Sequence, residues 1–267
     1  MTRLITVFTA VLLGFSGLTA QASELDIRVD TATQLLQDLK SMPENAIPPA
    51  LLSRAYAVAV IPSVIKAGFV LGGTYGKGII VARRADGQWS NPAFVRLTQG
   101  SIGFQAGVES TDLILVFKSQ RALDGLSNGK ITLGGDASIA AGPVGRQATA
   151  STDLQMQSEI YSYARSRGFF AGVSLQGGVL GMDHKANGAF YQGEASAARI
   201  LTDTSIPAPV SARRFMDTLA AIAPPLQGAP NVRAASRDPD MEVAPPAGAR
   251  TYGVDEPATP AAAEGPF

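Results

Sequence analysis

The sequence contains no cysteine and a single histidine, His184, among its 267 residues. The absence of cysteine excludes a disulfide framework, a thiolate zinc site, a cysteine nucleophile and a lipid-modified N-terminal cysteine. A single histidine without cysteine also argues against a zinc centre, which draws on several ligands of these types. We therefore expect the fold to depend on its apolar core, without a metal or another cofactor.

The chain also lacks an excess of either charge, because 22 Lys and Arg residues face 22 Asp and Glu residues. Proteins that bind nucleic acid usually carry a clear basic excess, so this class of partner is not expected. Attraction to an anionic surface would have to come from a local cluster of cations.

Long apolar runs are missing except at the start of the chain. Residues 4–18 are apolar apart from small and hydroxyl residues, Arg3 precedes them, and Ala20-Gln21-Ala22 follows. This order is typical of a secretory signal peptide, and the run is short for a transmembrane helix, which needs about 20 residues. We therefore predict a signal peptide at 1–22 and an exported protein, periplasmic or secreted and at most peripheral to the membrane; a membrane anchor is the alternative.

The other end of the chain, residues 224–267, is rich in Pro, Ala and Gly and has few large apolar residues. Such a segment cannot bury enough surface to offset the entropy of ordering, which predicts a disordered tail. The remaining part, about 200 residues, is long enough for one domain with a sizeable core. We predict a domain at 23–203 and a helical segment at 204–223.

Residues 24–40 predict an amphipathic helix that ends before Pro43. The apolar positions recur at spacings of three and four, and they are Leu25, Val29, Ala32, Leu36 and Leu39. Such a helix can dock on the body of the domain or lie in a membrane interface. Its polar face is acidic rather than basic, which favours docking.

The middle of the chain shows the pattern of many short strands joined by glycine-rich turns, with Asp86-Gly87 as the clearest hairpin turn. Strands, or segments of strand and turn, are predicted at 68–74, 78–84, 94–97, 101–108, 113–117, 130–141, 142–150, 159–164, 169–175 and 188–191. Helices are predicted after Pro48-Pro49 and at 119–126, 195–201 and 213–222. The predicted class is α+β, a curved antiparallel, barrel-like sheet with flanking short helices.

No motif in the sequence matches a reaction centre. The second glycine of Gly172-Val173-Ser174-Leu175-Gln176-Gly177 comes one residue too late for a nucleophile elbow. The segment 72–78 fails the phosphate-loop spacing, because Lys77 is followed by glycine, and a hairpin is the simpler interpretation. His184 lies in a polar segment, 183–188, whose composition predicts a turn between strands. We therefore predict that the chain is not an enzyme and has no catalytic residues.

Basic residues near aromatic ones are the better candidates for function. Arginine can hold a phosphate with its planar fork, and Trp and Tyr suit the membrane interface. The alternative is a solvated sheet edge with core aromatics. The candidate binding residues are Lys66, Lys77, Arg83, Arg84, Trp89, Arg146, Arg165 and Arg167.

An ordered set of motifs over about 35–201 resembles the SYLF domain, a lipid-binding domain also described as a yeast-type actin-binding domain. The motifs include Ile61-Pro62, Gly72-Gly73, Gly76 to Gly78, Trp89-Ser90 with Pro92, Gly103 with Gly107, Gly134-Gly135-Asp136-Ala137, Gly142-Pro143, Gly145-Arg146 and Tyr161-Ser162-Tyr163. The resemblance implies binding of acidic lipids, including phosphoinositides, with an amphipathic N-terminal helix taking part in membrane contact.

For an exported, bacterial member, the resemblance implies anionic phospholipids of the cell envelope as ligands, such as phosphatidic acid, phosphatidylglycerol or cardiolipin. Cytosolic actin is not expected as a partner of an exported chain. Two alternatives stay open: an envelope structural or protein-interaction module that uses the tail or a sheet edge, and a hydrolase that uses His184.

Overall fold

The computed structural model describes residues 24–41, 47–68, 71–102, 107–144, 157–166, 169–193 and 196–224. The predicted signal peptide, the predicted tail beyond Pro224, and the candidates Arg146 and Arg167 lie outside these residues. The described residues belong to one compact unit, Met1–Ala229. Among them, no helix is long and apolar enough to cross a membrane.

Along the described part of the chain, two helices precede four strands, one helix separates these from five further strands, and three helices follow. The helices are α1 (residues 24–41), α2 (Pro49–Ser53), α3 (Gln120–Ser127), α4 (His184–Phe190), α5 (Ala197–Thr202) and α6 (Val210–Ile222). The strands are β1 (Ala57–Gly68), β2 (Leu71–Ala82), β3 (Ala93–Ile102), β4 (Gly107–Phe117), β5 (Lys130–Thr132), β6 (Ile139–Ala141), β7 (Ile160–Ser166), β8 (Phe169–Gly172) and β9 (Val179–Met182).

The strands form one sheet in the order β5-β9-β3-β2-β1-β4-β7-β6, and β8 also pairs with β7. The sheet is open and strongly curled into a half-barrel with short helices around it. This confirms the predicted α+β class and curved sheet. One detail differs, because β6 and β7 run parallel and the sheet is therefore mixed.

The centre of the sheet is packed on both faces. Side chains alternate along a strand, so Ile79 and Val81 of β2 face one core while Ile80 faces the other. We call the side that carries Ile79 and Val81 the first face; α1, α2, α4 and α6 contribute to its core. The opposite side, the second face, is covered by α3 and α5. Burial on both faces explains the uninterrupted apolar run at 113–117.

Helix α1 docks on the first face, as its acidic polar face predicted. The five predicted apolar side chains, from Leu25 to Leu39, are at most 3% exposed. Asp30 and Asp38 lie 2.8 Å from Arg214 and Arg165, respectively. Burial of one large apolar side chain stabilises by about 1.5–3 kcal/mol and a surface ion pair by about 1 kcal/mol or less, so the apolar face provides most of the docking energy.

The prediction of two strands joined by a turn at Tyr75-Gly76-Lys77 was wrong, because β2 is continuous. Its glycines make room for an irregularity in β1, whose register shifts between Val60 and Ile65. A Cβ on Gly78 would lie 2.2 Å from the carbonyl oxygen of Val60. A glycine inside a strand can therefore mark a close backbone approach rather than a turn.

The prediction of a strand at 188–191 was also wrong. Residues 188–190 are the last residues of α4, and Tyr191 begins the turn after it. The Asp183 carboxylate caps this helix by accepting a hydrogen bond of 3.1 Å from the Ala186 N–H. The Phe190 ring packs edge-on against Phe94, with 5.0 Å between centroids. Capping and tertiary packing thus override the β propensity of the aromatic residues. The strand predicted at 169–175 is shorter in the structure, because β8 ends at Gly172.

We predict that Gly78→Ala lowers the free energy of unfolding by about 3 kcal/mol or more, since the added methyl group meets backbone atoms of β1 that cannot move alone. Gly100→Ala is the matched control, because a Cβ at this strand position meets no heavy atom within 4 Å. Urea unfolding followed by circular dichroism measures both. Equal stability of the two variants would contradict the close approach.

Candidate binding surface

Two of the candidates, Arg83 and Trp89, are part of the packed interior. Trp89 is 4% exposed, and the Arg83 guanidinium lies 4.1 Å from the centre of its ring. Burial lowers the pKa of Arg83. The guanidinium donates hydrogen bonds of 2.8–3.4 Å to the carbonyl oxygens of Leu52, Ala55, Gly87 and Ala223. Arg83 therefore joins the ends of α2 and α6 to the hairpin after β2.

Arg84 and Arg165 are also engaged within the domain. The Arg84 Nε lies 3.8 Å from Asp86, and its side chain is mostly covered. Arg165 contacts Asp38 of α1 at 2.8 Å and Asp112 of β4 at 3.8 Å. This arginine therefore holds α1 on the sheet.

The two candidate lysines are exposed, but they lie on opposite faces of the sheet. Lys77 is two residues from Ile79 and so points to the first face. Lys66 pairs with Thr74, which shares the second face with Ile80, and on its other side with Glu109 of β4. Only Lys77 is therefore available to a ligand that approaches the first face.

Lys77 belongs to a row of cations that crosses four strands. Directly opposite it on β3 is Arg96, next to Arg96 on β9 is Gly181, and beside Gly181 on β5 is Lys130. Paired residues share a face of the sheet, so Lys77, Arg96 and Lys130 all point to the first face. We call these three residues the cation row; all are exposed. Since adjacent strands lie about 4.8 Å apart, the row spans roughly 14 Å.

Within the described residues, none of the members of the cation row forms an ion pair with a carboxylate. Asp136 is close enough to Lys130 for the two charges to interact: hydrogen bonds from Thr132 lower the pKa of this carboxyl group, and the charge of Lys130 lowers it further. Gly181 has no side chain, which leaves the sheet backbone open between Arg96 and Lys130. The arrangement offers an exposed anion-binding surface with no side chain between Arg96 and Lys130.

Sequence reasoning did not find Arg96 and Lys130. Arg96 has one aromatic residue nearby, Phe94, and Lys130 follows the polar pair Asn128-Gly129, so neither stands in a segment with several aromatic residues. Along the chain, Arg96 is 19 residues from Lys77, and Lys130 is 34 residues from Arg96. The strand order brings the three together, because β9 lies between β3 and β5. A correct register prediction for these strands would have been the only available signal.

Towards the free end of the long strands, the same face becomes less charged. The next row includes Ile65 and Tyr75, which are 48% and 47% exposed. The row beyond it pairs Val108, 79% exposed, with Ala67, which in turn faces a glycine of β2. An open groove of about 620 Å³ lies here, lined among others by Ile65, Ala67, Gly73, Tyr75, Gly100 and Val179.

His184 lies apart from this surface and begins α4. The carboxylate of its neighbour Asp183 is used in the helix cap. Within the described residues, His184 has no hydrogen bond to a carboxylate, and no group of three or more His, Asp and Glu residues could hold a metal ion. The described surroundings of His184 therefore do not support the alternative of a hydrolase that uses this residue.

The fold and the cation row define a curled-sheet domain with an exposed basic surface. Residues 98–222 match the family model Ysc84, described as Las17-binding protein actin regulator. The chain is 42% identical over 162 residues to SH3 domain-containing protein PJ696.02 of Schizosaccharomyces pombe, covering 60% of this chain and 37% of that protein.

Two further relatives are similar. LAS seventeen-binding protein 3 of Saccharomyces cerevisiae is 38% identical over 169 residues, 62% of this chain and 37% of the yeast protein. Human SH3 domain-containing YSC84-like protein 1 is 35% identical over 193 residues, 70% of this chain and 56% of the human protein. The chain thus spans between about a third and just over half of these relatives. It belongs to the SYLF family, as its ordered motifs predicted.

We predict that Arg83→Met lowers the free energy of unfolding by about 2–4 kcal/mol, because several buried carbonyl groups lose a charged donor. Arg121→Met is the control, since the Arg121 side chain is 80% exposed and only 4.0 Å from its partner Glu159. The control should change stability by no more than about 0.5 kcal/mol. Thermal and urea unfolding test this assignment, and an Arg83 variant as stable as the control would refute it.

Proposed function

We propose that this chain is a non-catalytic protein that binds anionic phospholipid headgroups at a membrane surface of the cell envelope. The observation that carries the proposal is the cation row, three exposed cations in register on one face, without carboxylate partners among the described residues. Membership in the SYLF family, whose resemblance implied acidic-lipid binding, supports the same conclusion.

The chemistry of the row suits phosphate groups. Arg96 offers a planar fork that can bind two phosphate oxygens, and the lysines on either side add point charges. A phosphate between Lys77 and Arg96, or above Gly181 between Arg96 and Lys130, would meet two cations. Each cation near an anionic membrane contributes about 1 kcal/mol, so the row alone supports weak and reversible attachment.

The proposed setting is the cell envelope, which the signal-like residues 1–22 support. In such a setting the ligands would be phosphatidylglycerol, cardiolipin or phosphatidic acid. The actin and Las17 in the names of the family and its relatives belong to those proteins. Cell fractionation with an antibody against the chain tests the location; recovery with the cytosol would overturn this part of the proposal.

A protein partner is the second candidate function, because relatives are named for binding LAS seventeen. The structure provides open backbone for it, since β9 pairs with β3 only up to Thr98 and β7 pairs with β4 only from Asp112. An added strand could pair with either edge. Capture of one stoichiometric envelope protein that survives replacement of the cation row would favour this function.

We predict that the triple variant Lys77→Gln, Arg96→Gln, Lys130→Gln binds phosphatidylglycerol vesicles about a hundredfold more weakly at low salt, since three contributions of about 1 kcal/mol are lost. Co-sedimentation measures binding, with neutral phosphatidylcholine vesicles in parallel. Residues 1–22 are omitted in every variant, because their apolar run would itself bind lipid.

The control is a triple variant of equal charge change, Lys40→Gln, Arg121→Gln, Lys185→Gln, at exposed positions outside the row. It should keep most of the binding. Added salt should weaken the binding of the unmodified chain, because the Debye length falls to about 3 Å at 1 M. Equal binding to neutral and anionic vesicles, or an equal loss of binding in both triple variants, would contradict the proposal.

A further inference from the structure

We propose that the free end of the four long strands enters the membrane interface, with Ile65, Tyr75 and Val108 as its apolar contacts, while α1 stays docked. This inference rests on the proposed function and names the part of the molecule that touches lipid. We call the segments 64–68, 71–77, 96–102 and 107–112 the sheet tip.

The sheet tip projects beyond the helices that cover the rest of the sheet. In β1, residues 57–62 are buried, whereas Ile65 and Lys66 are exposed; in β4, residues 113–117 are buried, whereas Val108 is exposed. The same change occurs within β2 and β3. Among the residues that the structure describes, no helix therefore covers the first face of the tip.

The polarity of this face changes in order along the strands. The cation row lies nearest the core, the row with Ile65 and Tyr75 comes next, and the row with Val108, Ala67 and two glycines is the third. Four residues of strand separate the first row from the last, a distance of about 13 Å. The headgroup layer on each side of a bilayer is about 5–7 Å thick. Cations at the phosphates would thus place Val108 at the upper acyl chains.

The side chains of the tip suit the interface in kind as well as in position. Tyr75 is an aromatic residue with a polar end, a type favoured where one end of the ring is apolar and the other wet. The groove beside it is floored by Gly73, Gly100 and Ala67. Small residues there leave room for a lipid tail or glycerol group against the sheet.

Helix α1 is the competing candidate, and the structure argues against it. Its apolar face is already buried, and release would expose Leu25, Val29 and Leu36 while breaking the contacts of Asp30 and Asp38. Its outer surface holds one large exposed apolar residue, Ile27, among acidic neighbours. An anionic membrane would repel those carboxylates. The tip can contact a membrane without rearrangement, whereas α1 would first have to leave the sheet.

The open strand edges limit how deep the tip can go. Residues beyond Thr98 in β3 and before Asp112 in β4 have no described strand on their outer sides. Unpaired backbone groups are costly in hydrocarbon, so the edges must stay within reach of water and headgroups. We therefore expect shallow insertion of the side chains rather than penetration of the sheet.

The absence of cysteine allows a direct test. A single cysteine introduced by Val108→Cys carries an environment-sensitive fluorophore; Ile27→Cys on α1 and Phe169→Cys on β8 are controls at similarly exposed positions, 61% and 65%. With phosphatidylglycerol vesicles, we expect a blue shift and quenching by lipid-borne quenchers at 108, and neither at 27 or 169. A shift at 27 instead of 108 would overturn the inference in favour of the helix.

The outcomes separate this inference from the proposed function. Vesicles that sediment with the protein while the label at 108 stays in water would refute insertion of the tip and leave headgroup binding intact. A shift at 108 that grows with protein concentration in the absence of vesicles would show that a second copy covers the tip, and would also refute it. No sedimentation at all would refute the proposed function first.

A second measurement uses no label. Ile65→Ser combined with Val108→Ser should weaken vesicle binding about tenfold or more, because two apolar contacts with lipid are lost. Ile27→Ser combined with Val210→Ser changes two exposed apolar residues on helices and should leave binding unchanged. The melting temperatures of the two double variants show whether each is folded. Equal vesicle binding by the two variants would contradict the proposal.

Discussion

The structure depends on a mismatch between the length of its central strands and the helices that cover them. Strands β1 to β4 have 10–12 residues, but the buried part of each is only about half of that length. Packing on both faces holds the covered half rigid, which fixes the register of the uncovered half at no further cost. A surface composed of small and solvated residues can therefore be flat and well ordered without a core beneath it.

The same mismatch sorts the cations of the chain into two groups. Those next to the covered half have partners: Arg83 binds backbone carbonyls, and Arg165 binds carboxylates of α1 and β4. Buried guanidinium groups require such partners, because leaving one unpaired costs several kcal/mol. The cations of the row lie where the second face is covered but the described helices leave the first face open, so they remain solvated and can exchange water for a ligand at little cost. Position in the fold, rather than residue type, thus separates structural from functional cations.

The sequence predicted the fold class, the docked helix and the family, because each depends on local periodicity or on ordered motifs. It did not predict the continuity of β2, since Gly76 and Gly78 look like a turn until the irregular part of β1 is placed beside them. It also could not join Arg96 with Lys130, because that requires β9 to lie between β3 and β5. One residue of the family motifs is structural: the Ser162 hydroxyl donates to the carbonyl oxygen of Val173 at 2.6 Å and lies 3.2 Å from that of Ala140, which ties β7 to its neighbours.

The balance of forces also explains why a neutral chain can prefer one orientation at a charged surface. The acidic side chains of α1 lie on the helical layer, while the cation row and the apolar tip lie on the part of the first face that the described helices leave open. An anionic surface would therefore attract one end of the domain and repel the other. In the proposed function, charge would set the orientation and apolar contact would add to the affinity. Since each term is small, the proposed attachment would be reversible, and the two terms together would hold the domain longer than either alone.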